Sequence, residues 1–386
     1  MTGNTHNTKF PEKGCSIEYI KKHMKIAYKM DIHFKDGKVF NSMCTAPLPQ
    51  SVDAYKMFIE SNLGNPNLYP GTKKMENIII KEISDLLHLK NGYGTVVGGG
   101  TEANITALWV ARNYTGKKEI ILTKSAHFSI IKAIDLLGMK PVFVKLDNKY
   151  QMDITDLRNK ISKEVAAIVA VAGTTELGVI DPIEDISEVI KGNTMIHVDA
   201  AFGGFVIPFL DHLKNKKFDF MIDSVSSMTI DPHKMGMAPI PSGILLIRNK
   251  NIVNSIRKYS PYLTSKYSKS LTGTKASGSI AAIYTAINML GKEGYRKIAT
   301  SCWENTLYLS RNLQKNGFNT VIKPVMNILN ISVKDPKKWQ KYMLQHGYYV
   351  SRSINPSAMR FVIMPHIKKE HIDNIVNTMI NSPFAE

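Results

Sequence analysis

Between residues 93 and 250, seven short β-rich runs alternate with amphipathic stretches, a pattern that restricts the chain to a mostly parallel sheet covered by helices. The runs are Tyr93–Val97, Glu119–Thr123, Pro141–Val144, Ala166–Val171, Met195–Val198, Ser227–Ile230 and Ile244–Ile247. Several are apolar throughout, as strands buried on both faces must be. Beyond them, Ile280, Ile283, Tyr284 and Ile287 share one helical face and mark a long helix able to bridge two lobes. The chain then closes with a small α+β unit: a strand near Phe361–Met364 and a final helix burying Ile372, Ile375, Val376 and Met379. With 386 residues there is enough chain for both lobes. The expected division is an arm over 1–60, a large α/β domain over 61–275, and a bridging helix with a small domain over 276–386.

Composition narrows the function. No apolar run reaches the roughly 18 residues of a bilayer span. The start, Met1-Thr2-Gly3-Asn4, lacks the charged and apolar blocks of a secretion signal. A cytoplasmic protein without a membrane partner is expected. Cys15, Cys44 and Cys302 are widely spaced, so neither a disulfide framework nor a zinc site is indicated. The net charge of +18 raises the question of nucleic acid. Its lysines are scattered, however, and clusters such as Lys214–Lys217 and Lys337–Lys338 lack interleaved aromatics or a DNA-binding spacing. The charge reads as a solvated surface, with no nucleic-acid partner.

Three constellations carry chemistry. Val97-Gly98-Gly99-Gly100-Thr101-Glu102-Ala103-Asn104 follows a strand and opens a helix. Glycines there let the backbone close around an anion, while the helix start and the Thr101 hydroxyl donate to it. Alone, such a turn is equally well a tight strand-to-helix connection. The run lacks the Gly-Lys-Ser/Thr of a P-loop and the third glycine of a dinucleotide fingerprint. Next, His197-Val198-Asp199 places a carboxylate at the end of a buried strand, where open α/β sheets bind ligands. A buried Asp requires a partner, and a protonated heteroaromatic ring would serve. A His-x-Asp metal pair is the alternative, but no third ligand stands at a recognisable spacing. Finally, Asp231-Pro232-His233-Lys234 sets a lysine just past an apolar strand and before further apolar sequence. A partly desolvated amine of this kind suits Schiff-base chemistry.

Taken in order, phosphate turn, strand-end Asp and strand-end Lys resemble the fold-type I enzymes that use pyridoxal 5'-phosphate (PLP). More narrowly, Ala172–Gly178 and Thr229–Pro241 are similar to the group II amino-acid decarboxylases, and within them to the archaeal L-tyrosine/L-aspartate decarboxylase family. Ser42–Thr45, Asn62–Gly64, Tyr69–Thr72, Gly99–Asn104, Pro261–Thr264 and Met364–His366 follow that family's pattern too. The resemblance implies the PLP-dependent transferase fold, α/β with a mostly parallel seven-stranded sheet and a smaller C-terminal α+β domain. It also implies a homodimer with shared active sites.

It further implies that Lys234 binds the cofactor, Asp199 pairs with its ring nitrogen and His127 stacks on the ring. Thr174 would lie beside the ring, and Gly100, Thr101 and His233 near the phosphate, with Thr274 reaching the neighbouring subunit's phosphate. Tyr262 would donate the proton that replaces CO2, since a phenol can act as general acid toward a carbanion-like carbon. Arg360, taken to precede the last strand, is the candidate for a substrate carboxylate. Thr45, Asn62 and Tyr69 are candidates for the side-chain pocket. The implied reaction converts L-tyrosine to tyramine, for methanofuran, or L-aspartate to β-alanine, for coenzyme A. Lys275 stands where the family pattern has Arg, and Asn65 where it more often has Asp. Retro-aldol lyases, aminotransferases and cysteine desulfurases share the Lys and Asp and remain alternatives. A non-catalytic basic binding protein is more distant.

Overall fold

The computed structural model describes residues 9–384, so the initial residues 1–4, weighed above as a secretion signal, lie outside the described part. The arm begins with α1 (Ile17–Met30), capped by the Ser16 hydroxyl, which accepts from Tyr19 N at 3.2 Å. None of its residues is buried, and Ile17, Ile20, Met24 and Tyr28 form an exposed apolar stripe. The short α2 (Pro49–Met57) and the longer α3 (Pro70–Leu86) follow, both opened by proline in the first turn, where a missing N–H costs nothing.

The large sheet is built from β1 (Tyr93–Val97), β2 (Glu119–Thr123), β3 (Lys140–Val144), β4 (Val165–Val171), β5 (Met195–Asp199), β6 (Val225–Ile230) and β7 (Gly243–Ile247). Helices α4 (Gly100–Thr115), α5 (Phe128–Leu136), α6 (Ile154–Lys160) and α7 (Ile183–Val189) intervene. The strand order is β1-β7-β6-β5-β4-β2-β3, with β7 antiparallel to both neighbours and the other pairs parallel. Every residue of β4, β5 and β7 is buried, which explains why β4 and β7 carry no charged or polar side chain, while β5 buries His197 and Asp199 among its apolar residues. Ile168 and Ala170 join one apolar cluster and Val169 another, so helices cover both faces.

After β7 a two-stranded hairpin, β8 (Lys258–Tyr259) with β9 (Tyr267–Ser268), projects outward. Then α8 (Ser277–Lys315) crosses to the small domain, broken by a non-helical Gly291 at φ 54°. The small domain holds β10 (Asn319–Thr320), β11 (Ile328–Ser332), α9 (Pro336–Gln345), β12 (Ser351–Ser353), β13 (Ala358–Val362) and α10 (Lys369–Ile380). Its antiparallel sheet is ordered β10-β11-β13-β12. The strand expected over Phe361–Met364 starts earlier and ends at Val362, and Arg360 therefore lies inside it rather than before it. The final helix buries Ile372, Ile375, Val376 and Met379.

Part of the arm is not separate. Phe40 donates from its N–H to the Tyr349 carbonyl (2.8 Å) and accepts from Val362 N (2.7 Å). Its fully buried ring packs with Leu309, Trp339 and Phe361, inside the small-domain core. Among the described residues, no helix is long and apolar enough to cross a membrane.

Candidate active site

The parallel register Asp199↔Thr229 sets the ends of β5 and β6 side by side. The chain leaving β6 turns at once: Lys234 N donates to the Asp231 carbonyl (3.1 Å), with Pro232 second in the turn. Both ends open on one cavity of about 560 Å³, a size usual for small-ligand sites, whose walls include Gly100, Thr101, His127, Asp199, His233 and Lys234.

The start of α4 forms one wall. Gly99 has φ 149°, which disfavours a side chain, and a Cβ on Gly100 would come within 2.8 Å of Asp231 Oδ2. The backbone can therefore approach a ligand closely just where the first helical N–H groups lack intrahelical acceptors. Glu102 Oε2 accepts from Gly98 N at 2.7 Å and fixes the turn.

Behind the cavity a hydrogen-bond chain runs in one direction. Asp199, 4% exposed, accepts from Ala201 N on Oδ1 (3.1 Å) and from Asn104 Nδ2 on Oδ2 (2.9 Å). Because a carboxylate can only accept, the Asn104 amide is oriented, and its Oδ1 faces His197 Nε2 at 2.9 Å. His197 must donate there, and its Nδ1 accepts from Ser227 Oγ (2.8 Å). Burial lowers the His197 pKa to about 4 against the pull of Asp199, keeping the ring neutral as this arrangement requires. Asn104 Nδ2 also donates to Ser129 Oγ (2.9 Å), which bonds His127 Nδ1 at 2.8 Å. Ser129 N donates to the same nitrogen (3.3 Å), leaving the His127 proton on Nε2. Burial lowers the His127 pKa as well.

Lys234 Nζ lies 3.2 Å from Asp231 Oδ2, and His233 Nε2 lies 3.8 Å from the same oxygen. His233 Nδ1 is bonded to the Ser242 carbonyl. Asp231 is 2% exposed, and its Oδ1 has no hydrogen-bond partner among the described residues.

Other residues singled out in the sequence stand away from these walls. Thr174 is buried, but its hydroxyl accepts from Val179 N (3.2 Å), and Gly173 and Thr175 line the cavity instead. Thr45 bonds His366 Nδ1 (3.0 Å). Asn62 Oδ1 accepts from Gly64 N and Lys275 N, both at 2.9 Å, bracing two loops. Tyr69 precedes α3 and packs against the core. Tyr262, 85% exposed, stands on the β8–β9 hairpin, and Thr274 is exposed nearby. Arg360 is buried, with Nη1 on the Asn41 carbonyl and Ser351 Oγ, while its Nε and Nη2 have no partner among the described residues.

The two departures have local explanations. Lys275 contacts Glu76 and, at 2.6 Å, Thr95 Oγ1, within its own chain and away from the glycine turn. Burial pushes the Glu76 carboxyl up, but Lys275 and Lys73 outweigh it and hold the group at about 2. Asn65 accepts from the Thr264 hydroxyl on the projecting hairpin.

Asn104, His197, Ser129 and Asp231 were missed as site residues by sequence reasoning. For Asn104 a signal existed: an amide on an otherwise apolar helix face, one turn beyond Thr101. For Ser129 none did.

Comparison with known proteins agrees with this geometry. Residues 3–334 match the pyridoxal-dependent decarboxylase conserved domain. A probable L-tyrosine/L-aspartate decarboxylase of Methanosphaera stadtmanae is 44% identical over 376 residues, 95% of this chain and 97% of that one. An L-aspartate/L-glutamate decarboxylase of Pyrococcus horikoshii is 40% identical over 379 residues, 96% of this chain and 98% of that one. Among solved structures, a sphingosine-1-phosphate lyase of Burkholderia pseudomallei superposes with TM-score 0.89 at 23% identity, covering 98% of this chain and 92% of its own. A Lactobacillus brevis glutamate decarboxylase gives 0.85 at 19%, covering 96% and 93%. At such identities these two speak for the fold alone.

Proposed function

Because this chain belongs to the pyridoxal-dependent decarboxylase family, we propose that it removes the α-carboxylate of L-tyrosine, L-aspartate or both, using PLP held by Lys234 and Asp199. The observation that carries this reading is the convergence of Lys234, Asp199 and the glycine start of α4 on one cavity.

The residues present fit the cofactor. Asp199 is a buried carboxylate that no cationic side chain pairs with among the described residues, so a protonated ring nitrogen would complete it. Gly99, Gly100 and Thr101 offer close backbone approach and helix-start donors to a phosphate. His233 lies beside them, and Thr174 braces the turn that carries Thr175. When bound, the cofactor supplies a protonated ring that draws electrons from the bond to the departing carboxylate. Lys234 provides the tethering amine, Asp199 keeps the ring proton in place, and His127 forms a neutral wall fixed by Ser129.

Arg360 suits the substrate. A buried guanidinium with Nε and Nη2 unpaired is costly, and a carboxylate would satisfy both. Tyr69 is kept as a pocket candidate, with Thr45 and Asn62 shaping the pocket through the bonds described. Tyr262 and Thr274 are proposed to act in the partner's site, since neither lines its own cavity. The exposed apolar stripe of α1 also favours a homodimer. The same proposal includes the three-part division at 60 and 275, a cytoplasmic setting, and tyramine for methanofuran or β-alanine for coenzyme A as products.

Incubation of the PLP-loaded protein with each amino acid tests it. Release of CO2 with tyramine or β-alanine is expected, and transfer of the amino group to a keto acid would overturn it.

A further inference from the structure

We propose that Asp231 is the proton acceptor for the Lys234 amine. The inference rests on Lys234 as the residue that binds PLP. Three observations carry it: the 3.2 Å contact between Lys234 Nζ and Asp231 Oδ2, the near-complete burial of the carboxylate, and the absence of any hydrogen-bond partner for Oδ1 among the described residues.

The charges around the pair favour this role. An ammonium cannot attack a carbonyl carbon, so Lys234 must lose a proton before it can take up the cofactor. If that proton left the site, Asp231 would remain a bare buried carboxylate beside the wall of α4 where a phosphate is proposed to bind. The other titratable groups facing it do not compensate. His233 Nε2 is 3.8 Å away, while Glu102 of α4, His127 before α5 and Asp199 of β5, around the same cavity, and Cys44 of the arm, close enough to feel the pair, are neutral or acidic groups.

Transfer within the pair resolves this. One N–H bond of the ammonium breaks, its electron pair stays on Nζ, and an O–H bond forms on Oδ2. Two opposite charges become none. The unpartnered Oδ1 is then the carbonyl oxygen of a neutral acid, the form in which a buried oxygen without a donor costs least. Reversal returns the proton when Lys234 is released.

The test follows the visible absorbance that develops as cofactor-free protein takes up PLP. Asp231→Ala should load about a hundredfold more slowly. Added formate or acetate should restore the rate, with the more basic acetate more effective at equal anion concentration. Asp231→Asn, nearly isosteric but unable to accept the proton, should stay slow with or without them. Loading of the unaltered protein should slow in deuterated water, a measurement that needs no variant to fold. Loading at the unaltered rate in both variants, rescue independent of basicity, or no solvent isotope effect would each overturn the proposal. A Lys234→Ala protein that still developed the absorbance would instead refute the assignment of Lys234. Slow but complete loading of Asp231→Ala leaves that assignment intact.

Discussion

Asn104 Nδ2 stands 2.9 Å from Asp199 Oδ2, and through its second hydrogen the same amide holds Ser129, hence His127. One side chain thus sets the groups proposed to face two different parts of the cofactor. Replacing it with Asp would oppose a carboxylate to a carboxylate with almost no change of shape. Asn104→Asp is expected to weaken PLP binding at least tenfold. Asn104→Ala leaves buried groups unpaired at about 1–3 kcal/mol. Equilibrium dialysis of PLP against the folded variants checks both.

Asp199 itself has a larger effect. Asp199→Ala leaves the proposed ring cation unpaired, at about 3–5 kcal/mol if the pair behaves like other buried ones. Decarboxylation should fall by roughly 10²–10³ where that loss reaches the transition state. Single-turnover CO2 release on protein saturated with PLP is the measurement, and an unchanged rate would remove Asp199 from its role.

How much of this could be read beforehand differs between sheet and site. Each strand of the large sheet lay within two residues of its place, because strands such as β4 and β7 are buried on both faces and their apolar runs are unambiguous. The antiparallel course of β7 was not legible, since a uniformly apolar strand carries no mark of direction. Asp199 could be named because it ends β5, and Lys234 because it lies in the turn just past β6. The Ser129 and Asn104 bonds could not, being contacts across α4 and α5 between residues far apart in sequence. The bond that the Thr174 hydroxyl accepts from Val179 N was equally hidden, since residue type alone does not announce a turn contact.

Tyr262 offers a test of subunit sharing. At 85% exposure on the hairpin it is remote from its own cavity wall. Lys234→Ala and Tyr262→Phe proteins should each be nearly inactive. If Tyr262 serves the neighbour, unfolding and refolding the two together should recover about a quarter of normal activity, because half the dimers then hold one intact site. No recovery would place Tyr262 in its own subunit's site or outside the chemistry.

Glu76 predicts acid sensitivity. Its carboxyl falls from 4.5 to about 2 in the folded chain, so the stability it contributes is complete above 4.5 and is lost as pH drops toward 2. Lys275→Met removes the buried partner of Glu76 and leaves it the more exposed Lys73 at 2.8 Å, so the cost should stay below the roughly 3–5 kcal/mol of a fully stranded buried carboxylate. Urea unfolding between pH 6 and pH 3, with and without Glu76→Gln, should show the acid step vanish in the variant.

His197 acts in a different window. Its pKa drops from 6.5 to about 4 on folding, so the unfolded chain binds the proton first. Stability is complete above 6.5 and declines as pH falls to 4, by roughly 3 kcal/mol at most. His197→Gln should flatten unfolding free energy across that interval and leave the Glu76 step below it unchanged.

The register that pairs Asp199 with Thr229 has a consequence for how such a protein can diversify. The spacing between the two strand ends is set by backbone ladders in the least exposed part of the chain, whereas Tyr69 and the loop around Asn65, proposed to shape the substrate pocket, belong to segments outside that ladder. A lineage can therefore redraw its choice of amino acid by exchanging loops while the apparatus for breaking the bond is inherited untouched. Grafting those loops between relatives is the corresponding route for redesign.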